Sequence, residues 1–234
     1  MSLARRRALS LILALLAACT PGGSASEPEP RSKRPELLLL TSLPIAFGES
    51  FSIEAAGSPV LEALERRYRV SPIATVSEEA LHGAKLLLVA QPLAQPAEDL
   101  VALDRWVRNG GKLLLLADPM LEWRDSRPLG DATRPPPMFM DTGLLGHWGL
   151  RLDAPEQRGD RAARLAGRSI SARSPGLLHG TCTLSEDRLV AQCRIGKGVA
   201  VIVADADFLD WSDEKRGESG RAALLAALDE LERG

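Results

Sequence analysis

Lys85-Leu-Leu-Leu-Val-Ala90 and Lys112-Leu-Leu-Leu-Leu-Ala117 are two aliphatic runs, and the segment between them, Pro96 to Arg108, is amphipathic. Strands as uniformly apolar as these are covered on both faces. The intervening helix repeats Leu100, Val101, Leu103 and Val107 along one side and stops at Asn109-Gly110-Gly111, where glycine supplies a left-handed C-cap. Strand, helix and strand in that order form one crossover unit of a parallel sheet. The same alternation extends outward. Leu37–Thr41 and Arg69–Ala74 read as strands around a helix at Ser58–Tyr68, whose Val60, Leu61, Leu64 and Tyr68 fall at helical spacing. A short helix at Ser77–Leu81 has Ser77 as its cap and Glu78 and Glu79 in its first turn. Gly198–Ala204 reads as a further buried strand and Glu218–Leu231 as a closing helix. The expected architecture for residues 36–234 is a single three-layer α/β domain with a mostly parallel sheet.

The regularity fails after Asp118. Residues 118–140 hold five prolines and no periodicity, long for a loop inside a compact domain. Trp123, Met138, Phe139 and Met140 lie in it, so it either contacts a partner or packs back on the domain edge. A helix at Asp141–Trp148 and a strand at Leu150–Asp153 follow, and residues 164–195 read as a small antiparallel β insertion. Within it, a two-residue turn at Asp187-Arg188 would place Cys182 directly opposite Cys193. Cross-strand neighbours bring Cβ atoms to about 4.5 Å, within reach of a disulfide. Two buried free cysteines are the alternative.

The amino-terminal residues carry an address. Arg5, Arg6 and Arg7 precede the eleven residues Ala8–Ala18, which end in Leu16-Ala17-Ala18-Cys19. Positive charge, a short apolar run and small residues before a cut site are the layout of an export leader. Eleven helical residues span only about 16 Å, half of a hydrocarbon core of about 30 Å. The ending resembles the lipobox of bacterial lipoproteins, which implies a signal peptide at 1–18 and lipidation of Cys19 at the head of a tether over residues 19–35. That tether has four prolines and three serines, a composition that stays extended. The address is thus the cell envelope, lipid-anchored and facing the periplasm, where disulfides persist. The whole chain has formal charge −2. Loss of the three leader arginines makes the mature form more acidic, and with one tyrosine and no basic stripe nothing points to nucleic acid.

In open parallel sheets ligands collect beyond the carboxyl ends of strands. The polar residues expected there are Glu49 after the first strand, Gln91 after the third, Asp118 after the fourth, and Asp205 and Asp207 after the late strand. These five are the candidate ligand-binding set. Aspartates after strands also serve as turn and helix caps. The series Asp205, Asp207, Asp210 and Asp213 is rich in the oxygen ligands hard cations take, but Leu209 breaks the EF-hand spacing and no glycine follows. No cofactor motif is present in the chain, since Gly110-Gly111 and Gly196-Lys-Gly198 are too short to cradle a phosphate.

Three stretches carry a family resemblance: Asn109-Gly-Gly-Lys-Leu-Leu-Leu-Leu-Ala-Asp-Pro119, Leu144-Leu-Gly-His-Trp-Gly-Leu-Arg-Leu152 and Gly196-Lys-Gly-Val-Ala-Val-Ile-Val-Ala-Asp-Ala-Asp-Phe-Leu209. They resemble the auxiliary components of uncharacterised ABC transport systems of the gliding-motility type. The resemblance implies a fold similar to class I glutamine amidotransferases, itself of the flavodoxin-like kind, and transporter subunits as partners. In the amidotransferases the fourth strand ends in a nucleophilic cysteine, whereas here Asp118-Pro119 stands at that corner. Nucleophilic catalysis needs a nucleophile with a base in reach. None of His82, His147 and His179 follows a core strand. The expectation is therefore no catalytic residue and a binding or accessory role. The alternatives are a metal-assisted hydrolase using Asp118, Asp205 and Asp207, and a stand-alone module that binds envelope polymer.

Overall fold

The apolar run at Glu36–Thr41 forms the first strand, β1, with Leu37–Leu40 buried. In the computed structural model, which describes residues 33–46 and 57–234 apart from residues 126, 129 and 132, the elements then follow in α/β alternation. They are α1 (Pro59–Arg67), β2 (Arg69–Pro72), α2 (Glu78–Leu81), β3 (Leu86–Ala90), α3 (Ala97–Arg108) and β4 (Lys112–Leu116). Ser58 and Ser77 cap α1 and α2 by accepting hydrogen bonds from Leu61 N and Ala80 N. After the irregular segment come α4 (Leu144–His147), β5 (Leu150–Asp153), β6 (Asp160–Leu165), β7 (Arg168–Arg173), β8 (Leu177–Gly180), β9 (Thr183–Leu184), β10 (Val190–Ile195) and β11 (Gly198–Val203). A 3-10 turn at Asp207–Leu209 and α5 (Glu214–Arg233) close the chain.

One seven-stranded sheet in the order β2-β1-β3-β4-β11-β10-β9 organises the domain. Its first five strands are parallel, and β10 and β9 extend it antiparallel. All five residues of β3 are buried, as a strand with helices on both faces requires. Those helices pack in two groups, α1 with α5 and α2 with α3, so the α/β class and three layers agree with the sequence. Two smaller ladders, β5 with β8 and β6 with β7, stand apart from the main sheet, β6–β7 against α5 and the 3-10 turn and β5 against α4.

Several boundaries differ from expectation. The ribbon β6–β7 begins at Asp160, ahead of residue 164, and β10 belongs to the main sheet rather than to an insertion. Alternating burial of Ala191, Cys193 and Ile195 gives β10 one inward face, and the tight turn at Gly196-Lys197, with Gly196 at φ 60°, folds it onto β11. The helix read over 141–148 is a single turn, because Asp141 Oδ1 accepts from Gly143 N and Leu145 N and holds the preceding chain non-helical. Conversely, α5 starts at Glu214 under an Asp213 cap and includes Gly217 and Gly220. These glycines are close-approach positions: a Cβ on Gly220 would lie 2.0 Å from the Phe208 carbonyl oxygen.

Cys182 and Cys193 form a disulfide with Cα atoms 4.8 Å apart. The register is the expected one, Thr183 facing Gln192 and Leu184 facing Ala191. The turn is wider than two residues. Ser185 N bonds Val190 O, Arg188 N bonds Ser185 O, and Arg188 takes φ 57°.

Candidate functional site

Gln91, Asp118, Asp205 and Asp207 come together at the carboxyl edge of the sheet, all at 0% exposure. Glu49 and Cys19 lie outside the described residues. The disulfide is on the antiparallel flank, away from this edge.

Each carboxylate is engaged by backbone amides. Asp118 accepts from Met120 N through Oδ1 and from Ala206 N through Oδ2, both at 2.8 Å. Asp205 accepts from Phe208 N at 2.9 Å and from Arg173 N at 2.8 Å. Asp207 Oδ2 accepts from Glu122 N at 2.7 Å, while its buried Oδ1 has no partner. The three side chains therefore join the start of the irregular segment, the end of β7 and the turn after β11. Burial pushes the Asp118 carboxyl up to about 6, against the pull of its backbone donors. Burial, then the Asp118 charge, raises Asp207 to about 7. Burial and the charges of Asp118 and Asp207 hold Asp205 well above the usual carboxylate range.

Gln91 stands beside them. Its backbone is left-handed (φ 44°), its Oε1 accepts from Asp118 N at 2.9 Å, and its Nε2 donates to the Asp118 and Pro136 carbonyls at 3.1 Å each. Thr41 Oγ1 donates to Ala90 O at 2.8 Å, and Ser42 Oγ donates to Gln91 O. The strand order reverses between β1 and β3, which is where open α/β sheets hold ligands. The Gln91 amide group lies next to that position, bridging the ends of β3 and β4 to the Pro136 carbonyl. What remains nearby is an apolar cavity of about 30 Å³ walled by Leu40, Val89, Leu115, Phe139 and Leu144, room for a water molecule or so.

The irregular segment packs back over this edge. Leu121 N bonds Pro137 O and Phe139 N bonds Asp118 O, which closes it as a loop. Trp123 is buried edge-on against Trp211, ring centroids 5.1 Å apart. Met138 and Met140 stay about half exposed.

A sequence model of a family described as an ABC-type uncharacterized transport system matches residues 34–164, more than half of the chain. The protein belongs to this family. The matched part of this transport-family chain runs from just before β1 into β6; it holds Gln91 and Asp118 and stops short of Asp205 and Asp207. Among curated proteins no sequence matches. Solved structures share the fold at low identity. The N-terminal domain of mmIFT52 is 12% identical at TM-score 0.55, over 85% of this chain and 98% of that one. An exo-β-1,4-mannosidase from Opitutaceae bacterium strain TAV5 is 14% identical at TM-score 0.52, over 85% of this chain and 37% of that one. A cytoplasmic protein from Salmonella typhimurium is 10% identical at TM-score 0.51, over 84% and 98%. The chain spans about a third of the mannosidase, and at these identities the likeness is one of fold alone.

Among the described residues of this transport-family protein, no three His, Cys, Asp or Glu side chains form a group that could hold a metal ion. His147 pairs with Asp104 and His179 with Asp153, and the Asp118 carboxylate is bonded to backbone amides, not to a histidine. Sequence reasoning missed the cations that flank the acidic residues. Arg173 Nε donates to Asp160 Oδ1 at 3.2 Å, and Arg216, 5% exposed, donates from Nη2 to Asp160 Oδ2 at 2.7 Å. Arg173 Nη1 lies 3.8 Å from the buried Asp210 Oδ2. Ser174 was also missed; its hydroxyl donates to Glu122 Oε1 at 2.6 Å. These residues come from β7, the irregular segment and α5, and no spacing in the sequence links them.

Proposed function

We propose that the protein is a non-catalytic, lipid-anchored accessory component of an ABC-type transport system, held at the envelope by Cys19 and facing the periplasm. The observation that carries this reading is the family match over residues 34–164. The export leader ending in Leu16-Ala17-Ala18-Cys19 supports the anchor, and the disulfide is consistent with an oxidising compartment. The non-catalytic part rests on the corner after β4, where Asp118 stands with both oxygens on backbone amides. The parallel order β2-β1-β3-β4-β11 is that of flavodoxin-like folds, and we assign the domain to that kind, including its amidotransferase-like branch. With Gln91 and the strand-end carboxylates committed to the protein's own backbone, partner contact falls to the outer surfaces of the domain.

Purification from detergent-solubilised native membranes, with the tether intact, tests the reading. Recovery of an ATPase and a permease subunit is the expected result, and recovery of neither overturns it. Asp118→Asn separates this role from hydrolysis, since a capping aspartate changes stability and a catalytic one changes turnover.

A further inference from the structure

In a parallel sheet the helices return the chain to the starting ends of the strands, so helix C-termini and strand N-termini share one edge. On this edge α1 ends in Arg66 and Arg67 and β2 starts at Arg69, α3 has Arg105 in its last turn, and Lys197 precedes β11. These side chains are exposed, as is Lys33 just before β1. The chain joins the domain among them: Arg69 N bonds Pro35 O at 2.8 Å, and Arg34 Nη1 donates to the Glu65 carbonyl at the end of α1. At the opposite edge stand Asp118, Asp205, Asp207 and Asp210, with Asp213 and Glu214 at the start of α5. Both edges are mixed in charge, since Asp229 and Glu232 at the end of α5 stand beside Arg67 and Tyr68 and Arg173 and Arg216 flank the carboxyl-edge acids, but the cations of the amino edge are the exposed ones.

We propose that this amino-terminal edge, through Lys33, Arg66, Arg67, Arg69, Arg105 and Lys197, is a membrane-apposed face that binds the phosphate groups of anionic phospholipid. The proposal rests on the reading that Cys19 is lipidated, which brings the tether back to this edge. Arg67 pairs more closely than the others, at 2.6 Å, with Asp229, whereas Arg66 and Arg105 pair with Glu62 and Glu78, both largely exposed, and Arg69 pairs with the part-exposed Glu36. Exposed pairs of this kind hold their partners weakly, so the guanidinium groups re-pair with phosphate when a lipid surface approaches. Five parallel strands at about 4.8 Å spacing give an edge roughly 20 Å wide, comparable with two Debye lengths at physiological ionic strength. Several basic residues thus act on the surface at once, each attracted by a negatively charged leaflet. Docking in this pose turns the acidic edge and its covering loop away from the bilayer.

The test uses the mature chain from residue 19 with Cys19→Ser, so that no acyl group masks the surface contribution. Vesicles of phosphatidylcholine alone, or with about a third phosphatidylglycerol, are floated at low salt and at high salt. Flotation with the anionic vesicles only, released by salt, is expected. Arg66→Glu, Arg69→Glu and Lys197→Glu combined should lower the partition coefficient at least about tenfold, while Arg124→Glu with Arg158→Glu leaves it unchanged. Thermal melts of each variant establish folding. Equal binding to neutral vesicles, no binding to either, or wild-type binding by the triple variant overturns the proposal. The mass of the Cys19 peptide from native membranes reports separately on the anchor, so an unmodified Cys19 removes the lipoprotein reading without altering the vesicle result.

Discussion

At the carboxyl edge of the sheet, Asp118, Asp205 and Asp207 are fully buried and bonded to backbone amides, whereas the arginines at the amino edge are exposed and paired side chain to side chain. Both edges carry charge, but the physics differs. Buried charge costs free energy unless it is bonded or neutralised, so the acidic edge is a structural commitment whose protonation is linked to folding. Exposed charge is screened and exchangeable, so the basic edge adds little to stability and remains available to a partner. The largest expected effect tests the first half of that contrast. Asp207 is raised to about 7 and Asp118 to about 6. The folded state therefore holds protons that the unfolded chain has released near pH 4, and the stabilisation these groups give is present below about pH 4 and lost as pH rises through 6 and 7. Asp207→Asn keeps an acceptor for Glu122 N and removes the titration. Urea midpoints measured from pH 4 to 8 should show the variant gaining on the wild type as pH rises, by up to about 4 kcal/mol. A constant difference across that range would mean that Asp207 ionises freely and is not held by burial.

The antiparallel flank provides a control for both edges. Replacing Cys182 and Cys193 together by alanine opens a loop with sequence separation 11, and the chain-entropy account gives a loss of about 3 kcal/mol. Because the disulfide touches neither edge, the pH dependence of stability and the vesicle partition should both survive this loss. A changed pH slope in the double variant would show that the flank and the carboxyl edge are one cooperative unit.

Gln91→Ala is expected to cost about 2 kcal/mol, since Asp118 N and two carbonyls lose their buried partner. Its more telling readout is local. The amides of Leu121 and Phe139, whose bonds close the irregular segment, should exchange hydrogen faster while those of β1 and β3 do not. Uniform loss of protection would instead make Gln91 part of the global core.

Periodicity and capping were enough to find the parallel strands and the helices between them, because the aliphatic runs at 86–90 and 112–116 have no solvent-facing alternative. The cysteine pairing was legible for the same reason: register follows from the strand pattern, and the wider turn kept it. What escaped was decided by tertiary approach. Gly217 and Gly220 look like helix breakers until the turn at Asp207–Leu209 and Trp211 are seen pressed against them. Of the five strand-end candidates, Gln91, Asp118, Asp205 and Asp207 meet at the carboxyl edge and Glu49 lies outside the described residues, yet a sequence of aspartates does not say whether their oxygens face a ligand or a backbone amide. Gln91 is the clearest case, since its left-handed backbone and three hydrogen bonds depend on chain segments far along the sequence.

The smallest expected effect on stability tests the other half of the contrast. Arg66 and Glu62 are one helical turn apart and both largely exposed, at 77% and 53%. Substitutions at such positions usually leave stability within about 0.5 kcal/mol, because each ion exchanges its partner for water at little cost. Arg66→Glu should accordingly leave the urea midpoint within experimental scatter at every pH from 4 to 8. If it instead moved the midpoint as far as Gln91→Ala does, the amino edge would be structural too, and its exposed arginines would no longer be available to phosphate. A near-zero effect on folding alongside a measurable effect on vesicle binding is the pattern that separates a surface kept for a partner from one kept for the fold.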